Sequence, residues 1–324
     1  MQVALVTDST AQLSEATART HAVTVVPLNV VLGARVLEEG PEGATPELVA
    51  ESLREFVPVS TSRPAPSVFE ELYARLAAEG ADEIVSVHIS GEMSGTLESA
   101  QVAARTSPVP VHVVDSTQVG PATGYAVLSA AQARDSGAAG VEVAEAARAR
   151  AESATSLFYV DTLEYLRRGG RIGAAAALLG SALAVKPLLS IVDGRVAQVD
   201  RVRTSARALS RLEDLAFEAA GEGMVDVTVA HLANPDAAEQ LAEKLQARLE
   251  GRVRDAVIGL SEISAVLGAH VGPGMVSVCV APIPGTGAQE AAADDAAVPD
   301  EPESDESVSG ESVPDQTGPD QTLT

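Results

Sequence analysis

In the first half of the chain, short apolar runs of strand length alternate with segments whose apolar residues recur at helical spacing. Residues 2–7 predict a strand ending in Asp8-Ser9-Thr10, residues 14–20 a short helix, and residues 23–32 one extended segment. Thr45 before Pro46 reads as an N-cap with proline at the first helical position, opening a helix to about Phe56. Ser67 and Glu70 form a capping-box pattern for a helix over 68–78. Residues 83–89 are almost continuously apolar, as strands buried on both faces of a parallel sheet are. Another strand is expected over 109–114, and helices over 96–105, 123–135 and 141–152. This alternation predicts an α/β domain of three layers, α/β/α, with a mostly parallel sheet.

The pattern changes near Leu157. A strand over 158–160 leads into DTLEYLRRGGRIG, read as a short helix broken at Gly169-Gly170. A small-residue helix is expected over 174–183. Residues 187–192 and 195–203 flank Asp193-Gly194, the strongest hairpin signal in the chain. A helix (204–219), a strand (225–230), a helix (235–249), a strand (253–258), a helix (261–267) and a last strand (275–281) follow, the last after the glycine-rich turn GAHVGPG. The hairpin implies antiparallel pairing and a second, α+β domain. The expected organisation is residues 1–155, residues 156–283, and a tail over 284–324 too poor in large apolar residues to order.

Composition adds limits. The 324 residues are 46% hydrophobic but only 2% aromatic, without tryptophan, so the core must be built from Ala, Val, Leu and Ile. Of the net charge of -24, eleven acidic residues beyond position 283 carry -11, leaving -13 on the body. That balance argues against nucleic acid and anionic membrane as general partners. The single cysteine, Cys279, excludes an internal disulfide, makes a structural zinc site a poor reading, and reads as a small buried hydrophobe. The N-terminus has no basic flank of a signal peptide. The alanine-rich uncharged stretch 172–185 falls short of the roughly 20 residues of a membrane span. A soluble cytoplasmic protein is expected.

Candidate chemistry gathers at strand ends. Asp8-Ser9, His88 with Ser90, and Asp115-Ser116 each close a predicted strand and would project at one sheet edge, where open α/β sheets bind ligands. Thr61 and Ser62, then Ser90, Ser94 and Thr96, each precede a helix, and a hydroxyl beside helix-start N–H groups suits an anion. We expect this stretch to grip a carboxylate. Arg167, Arg168 and Arg171 bracket the double glycine, Lys186 precedes Pro187, and Arg201 and Arg203 share one strand face by period two. In an acidic body these form a candidate anion site. His270, in the glycine-rich turn, is a weaker candidate donor. GEMSG misses the nucleophile-elbow spacing by one residue, and Walker, dinucleotide-binding and metal-ligand patterns are absent. A serine hydrolase using Ser94 with His270 and Asp115 stays open, as does a regulatory module for another small acid.

The motifs taken together resemble the DegV family of bacterial fatty-acid-binding proteins: VTDST at Val6, TSRPAP at Thr61, HISGEMSGT at His88, VVDS at Val113, EYLRRGGRIG at Glu164, KPLLSIVDG at Lys186 and GAHVGPG at Gly268, in the family's order. The resemblance implies two α/β domains with a long-chain fatty acid in a cleft between them and no other cofactor. It implies a non-catalytic, lipid-binding carrier. Such a carrier presents the acyl carboxylate to a separate ATP-dependent fatty acid kinase, a dihydroxyacetone-kinase-like catalytic subunit. The acyl phosphate formed feeds phospholipid synthesis. It puts the carboxylate contacts on Thr61 and Ser94, with His270, Ser62 and Arg171 near, and gives Arg203 and Arg201 to the carboxylate surroundings or to kinase docking. Gly91 and Ala65 stand where the family often carries serine, Arg168 replaces a common lysine, and the acidic tail lies outside the pattern.

Overall fold

The computed structural model describes residues 2–178 and 185–284. Thirteen strands and ten α-helices form three sheets among the described residues. Strands β1 (Val3–Asp8), β2 (Val23–Val26), β6 (Glu83–His88) and β7 (Val111–Asp115) make a wholly parallel sheet in the order β2-β1-β6-β7. Its residues alternate between two helical layers. Val3, Leu5, Val85, Val87 and Val114 meet the alanine-rich helices α5 (Pro121–Asp135) and α6 (Gly140–Ser153). Val6, Val26 and Ile84 meet α3 (Pro66–Ala78) and α4 (Thr96–Ala104). This is the three-layer α/β/α arrangement read from the sequence.

A second sheet has six strands in the order β10-β9-β8-β13-β11-β12: β8 (Thr155–Tyr159), β9 (Lys186–Val192), β10 (Arg195–Val202), β11 (Val225–His231), β12 (Gly259–Glu262) and β13 (Val276–Pro282). All neighbours are antiparallel except β11 with β12. Asp193 (φ 49°) and Gly194 (φ 75°) turn the β9–β10 hairpin, both left-handed as a type I′ turn requires. One face buries Val225, Val227, Val229, Val276, Val278 and Val280 under α8 (Ser205–Ala219) and α9 (Pro235–Arg248). The opposite face presents Phe158, Leu189, Ile191 and Val196 toward Ile89 and Met93, just beyond β6.

The third sheet, β4-β3-β5, was only half legible: β3 (Asn29–Leu32), β4 (Arg35–Glu38) and β5 (Val59–Ser62). The extended segment expected over 23–32 is two strands in two sheets, divided at Pro27, which has no N–H for a ladder, and Leu28, whose N–H goes to Ser9 Oγ (3.0 Å). Against this small sheet pack α2 (Pro46–Arg54), capped by Thr45, and α10 (Ala265–Val271), capped by Ser264. The short helices α1 (Glu15–Thr20) and α7 (Glu164–Arg168) complete the set.

Other expectations are corrected. The capping box at Ser67 does not form, because Pro66 starts α3 and Ala65 is its N-cap. Residues 253–258 are not a strand: Asp255 and Ala256 take left-handed backbone, and the strand falls at Gly259–Glu262. The helix expected over 261–267 lies at Ala265–Val271, so His270 sits in its last turn rather than in a loop. Thr61 and Ser62 lie on β5, not at a helix start. Of the helix expected over 174–183, Gly173–Leu178 forms 3-10 turns and the rest lies outside the described residues, as does the tail beyond Pro284. No helix among the described residues is long and apolar enough to cross a membrane.

Candidate functional site

The parallel sheet places Asp8, His88 and Asp115 at adjacent strand ends, yet they do different work. Asp8 is fully buried and takes four donors: Thr10 N–H, Thr10 Oγ1–H, Ile89 N–H (3.1 Å) and the His88 Nδ1 side (2.9 Å). His88 Nε2 continues to Ser86 Oγ (2.7 Å), which accepts from Tyr73 Oη (2.9 Å). This Ser-His-Asp chain is closed to solvent, and it pins the backbone where Ile89 leaves β6. Asp115 instead accepts from Gly91 N–H (3.2 Å) and Thr117 N–H (2.8 Å), shaping the 91–95 loop. A side chain at Gly91 would run into Leu97 and Asp115, which accounts for glycine there.

Beyond these strand ends lies a cavity of about 220 Å³. Its walls are mainly apolar: Leu28, Ile89, Val119, Phe158, Ile191, Val196, Ile263, Leu267 and Met275. Polar groups enter as a separate set. Thr61, Ser62 and Arg63 come from β5 and its exit, Ser94 from the loop before α4, Arg171 from the segment after α7, and His270 from α10. Thus the five residues expected at a carboxylate, Thr61, Ser62, Ser94, Arg171 and His270, line one cavity. Arg201 and Arg203 do not; both are exposed at the end of β10 and beyond it.

Thr61 Oγ1 and His270 Nε2 are 2.8 Å apart, 209 residues apart in sequence. Burial, aided by the nearby Arg171 charge, pushes the His270 pKa down to about 4, so the ring is neutral at pH 7. Its Nδ1 is buried without a partner. An orphaned N–H is rarer than an idle acceptor, so the proton belongs on Nε2, donating to Thr61 Oγ1. The Thr61 hydroxyl hydrogen is then free to turn into the cavity. Gly169 makes this arrangement possible: a Cβ there would collide with His270 Nδ1. Ser94 Oγ accepts from Thr96 N–H at 3.3 Å and lies 2.9 Å from Thr96 Oγ1, a contact in which either hydroxyl can donate.

The arginine cluster resolves into two kinds. Arg167 and Arg168 both bind Glu164 on the surface. Arg171 is half-buried, donates to the carbonyls of Met93 (2.9 Å) and Gly169 (2.6 Å), and has no carboxylate partner among the described residues. Its charge therefore stands at the cavity wall with only carbonyl partners. The set Ser94, His270 and Asp115 forms no relay, since each is bonded elsewhere. Residues the sequence did not single out are Arg63 and, on the cavity floor beside Cys279, Ser156 and Ser277. Cys279 is the buried small residue expected, but its strand neighbours show that its face is the cavity's. The described residues hold no cluster suited to a metal ion.

Known proteins resemble this chain in sequence and in fold. A DegV domain-containing protein of Streptomyces coelicolor is 51% identical over 278 residues, covering 86% of this chain and 98% of that one. One from Deinococcus radiodurans is 38% identical over 286 residues, covering 87% and 99%. Among solved structures, a fatty-acid-binding DegV family protein of Thermus thermophilus superposes with a TM-score of 0.81 at 33% identity, over 87% of this chain and all (100%) of that one. DegV of Bacillus subtilis, a fatty acid binding protein, gives 0.79 at 28% identity, over 87% and 100%. The family model described as "uncharacterised protein, DegV family" matches residues 2–282, and this chain belongs to the DegV family.

Proposed function

We propose that this protein binds one long-chain fatty acid, its chain in the apolar cavity and its carboxylate against Thr61, Ser94 and Arg171, with His270 holding Thr61 in place and Ser62 at the rim. The observation that carries the reading is the division of the cavity wall: greasy along its length, with two hydroxyls and a guanidinium that has no carboxylate partner among the described residues grouped together. Burying methylenes contributes about 0.8 kcal/mol each, so the chain supplies affinity. An unpaired carboxylate in such a site would be costly, and the grouped donors offset that cost. The Thermus thermophilus and Bacillus subtilis relatives, both fatty-acid binders by name, support it.

The same reading makes the protein a carrier in the cytoplasm. The carboxylate would be handed to a separate ATP-dependent kinase of the dihydroxyacetone-kinase-like type, forming an acyl phosphate for phospholipid synthesis. Arg201 and Arg203, exposed and away from the cavity, suit a docking surface for that kinase. The nucleophile, base and acid that a hydrolase needs are not assembled around Ser94, and a carrier needs none of them. Organic extraction of the purified protein followed by mass spectrometry tests the binding: a stoichiometric fatty acid is expected, and a polar metabolite in its place refutes it. Acyl phosphate formation with added kinase and ATP, lost in Arg203→Glu with fatty acid still bound, tests the hand-off.

A further inference from the structure

The far end of the cavity has a floor of its own. Along β13, Val276, Val278 and Val280 face α8 and α9, so Ser277 and Cys279 turn to the cavity by the strand's period of two. On β8, Ser156 and Phe158 line the same cavity. The register pairs Ser277 with Phe158 and Cys279 with Ser156. The floor therefore steps from a bulky ring to two of the smallest side chains lying side by side, which makes a pit.

The pit's far side is walled on this same face of the sheet. Ala122, Ala154 and Tyr125 pack on Cys279. Tyr125 is held by Thr228 (Oη to Oγ1, 2.6 Å), and the Arg150 guanidinium lies over its ring. The pit is also remote from the polar group. The segment carrying Arg171 reaches β10, where Gly173 abuts the Val196 backbone. Strand β13 lies three positions further along the sheet, about 14 Å at the usual strand spacing.

The floor's two hydroxyl hydrogens are already engaged. Ser156 Oγ donates to Gln118 Oε1 (3.0 Å) and Ser277 Oγ to the Ala230 carbonyl (3.3 Å). Burial pushes the Cys279 thiol up to about 12, so it stays a neutral S–H. Such a surface accepts a methyl end and gives nothing to a second charged end.

We propose that the Cys279–Ser156 pit is the end stop of the cavity, seating the terminal methyl of an unsubstituted monocarboxylic chain and setting its length. The proposal rests on the fatty-acid reading above. Leucine at position 279 would add about two heavy atoms, filling the space of roughly two methylenes, each worth about fourfold in affinity. Cys279→Leu should therefore lower the affinity for stearate relative to myristate by about fifteenfold, with occupancy by myristate kept, even where overpacking on Ala122 and Tyr125 lowers the melting temperature. Cys279→Ala, which enlarges the pit and should fold regardless, should move the ratio the other way by up to about fourfold.

The measurement is competitive displacement of a fluorescent fatty acid by myristate and by stearate, on the full chain and both variants. Opposite shifts in the two variants support the end stop. A wild type that binds both acids, with a ratio unmoved in either variant, overturns the end stop and leaves the fatty-acid reading standing. A wild type that binds neither acid overturns both.

Discussion

Gly169→Ala isolates the contribution of His270 without touching any polar atom of the cavity. Gly169 has ordinary right-handed backbone (φ -73°, ψ -11°), so alanine is not strained there. The added Cβ would, however, strike His270 Nδ1 and Cε1. The ring is bonded to Thr61 on its other side, at 2.8 Å, so it cannot withdraw and keep that bond. Overpacking of this kind costs about 1–3 kcal/mol. A displaced His270 also frees Thr61 to rotate, and a lost hydrogen bond to a charged group costs about 1.5–3 kcal/mol, at least tenfold in affinity. Gly170→Ala is the control: its φ of +73° strains an alanine by about 1–2 kcal/mol, but no atom lies within 4 Å of the new Cβ. Fatty-acid titration and thermal melting of both variants decide the matter. Gly169→Ala should weaken binding at least tenfold, and Gly170→Ala should lose stability with binding within about threefold of wild type. Wild-type affinity in a folded Gly169→Ala would refute the positioning role of the histidine.

Arg171→Gln should weaken binding of a fatty acid by tenfold or more, with Arg171→Lys retaining part of it, since carbonyl acceptors hold the guanidinium in place; an equal affinity for fatty acid and fatty alcohol in the wild type would contradict this. Asp226→Asn removes the partner of the fully buried Arg150 and should cost about 3–5 kcal/mol in denaturant unfolding. His270, depressed to about 4 in the fold, binds fewer protons there than when unfolded; stability should therefore fall by roughly 3 kcal/mol as pH drops from about 6.5 to about 4. Glu262 has the opposite sign. Burial and its hydrogen bond with Glu47 raise its pKa to about 7, so its share of stability is lost as pH rises from about 4.5 through 7. Glu262→Gln, which can still donate to Glu47, should remove that decline in a pH series of melts.

The four-stranded parallel sheet was legible because its strands are buried on both faces and alternate with helices along the chain. The hairpin was legible because Asp193-Gly194 can form one kind of turn well. The β4-β3-β5 sheet was not. Strand β5 reads VSTS with its residues alternately half-buried and exposed, too polar to stand out as a strand. That oversight misplaced Thr61, which reaches the cavity from a strand and needs no helix terminus. His270 was misplaced for a related reason: Gly268 looks like a turn residue, but it lies inside α10 where a Cβ would press on Leu232. Close packing between helix and neighbour required that glycine, and a single sequence cannot distinguish that need from a turn's. The residues themselves were found because the hydroxyls precede expected helices, Arg171 and His270 stand beside glycines, and the family resemblance put a carboxylate there. Their pairing, Thr61 with His270, could not be read, because it joins parts of the chain that only tertiary structure brings together.

That long separation bears on how the protein is made. Strand β13, the latest described strand in chain order, is inserted between β8 and β11 in the middle of its sheet. During synthesis the six-stranded sheet therefore stays split until Val276–Pro282 has left the ribosome. At about 5–20 residues per second, roughly 10–40 s separate the emergence of Thr61 from that of its histidine 209 positions later. A nascent chain shorter than this has half the cavity lining exposed and no floor, so the cavity closes late, as an essentially post-translational event.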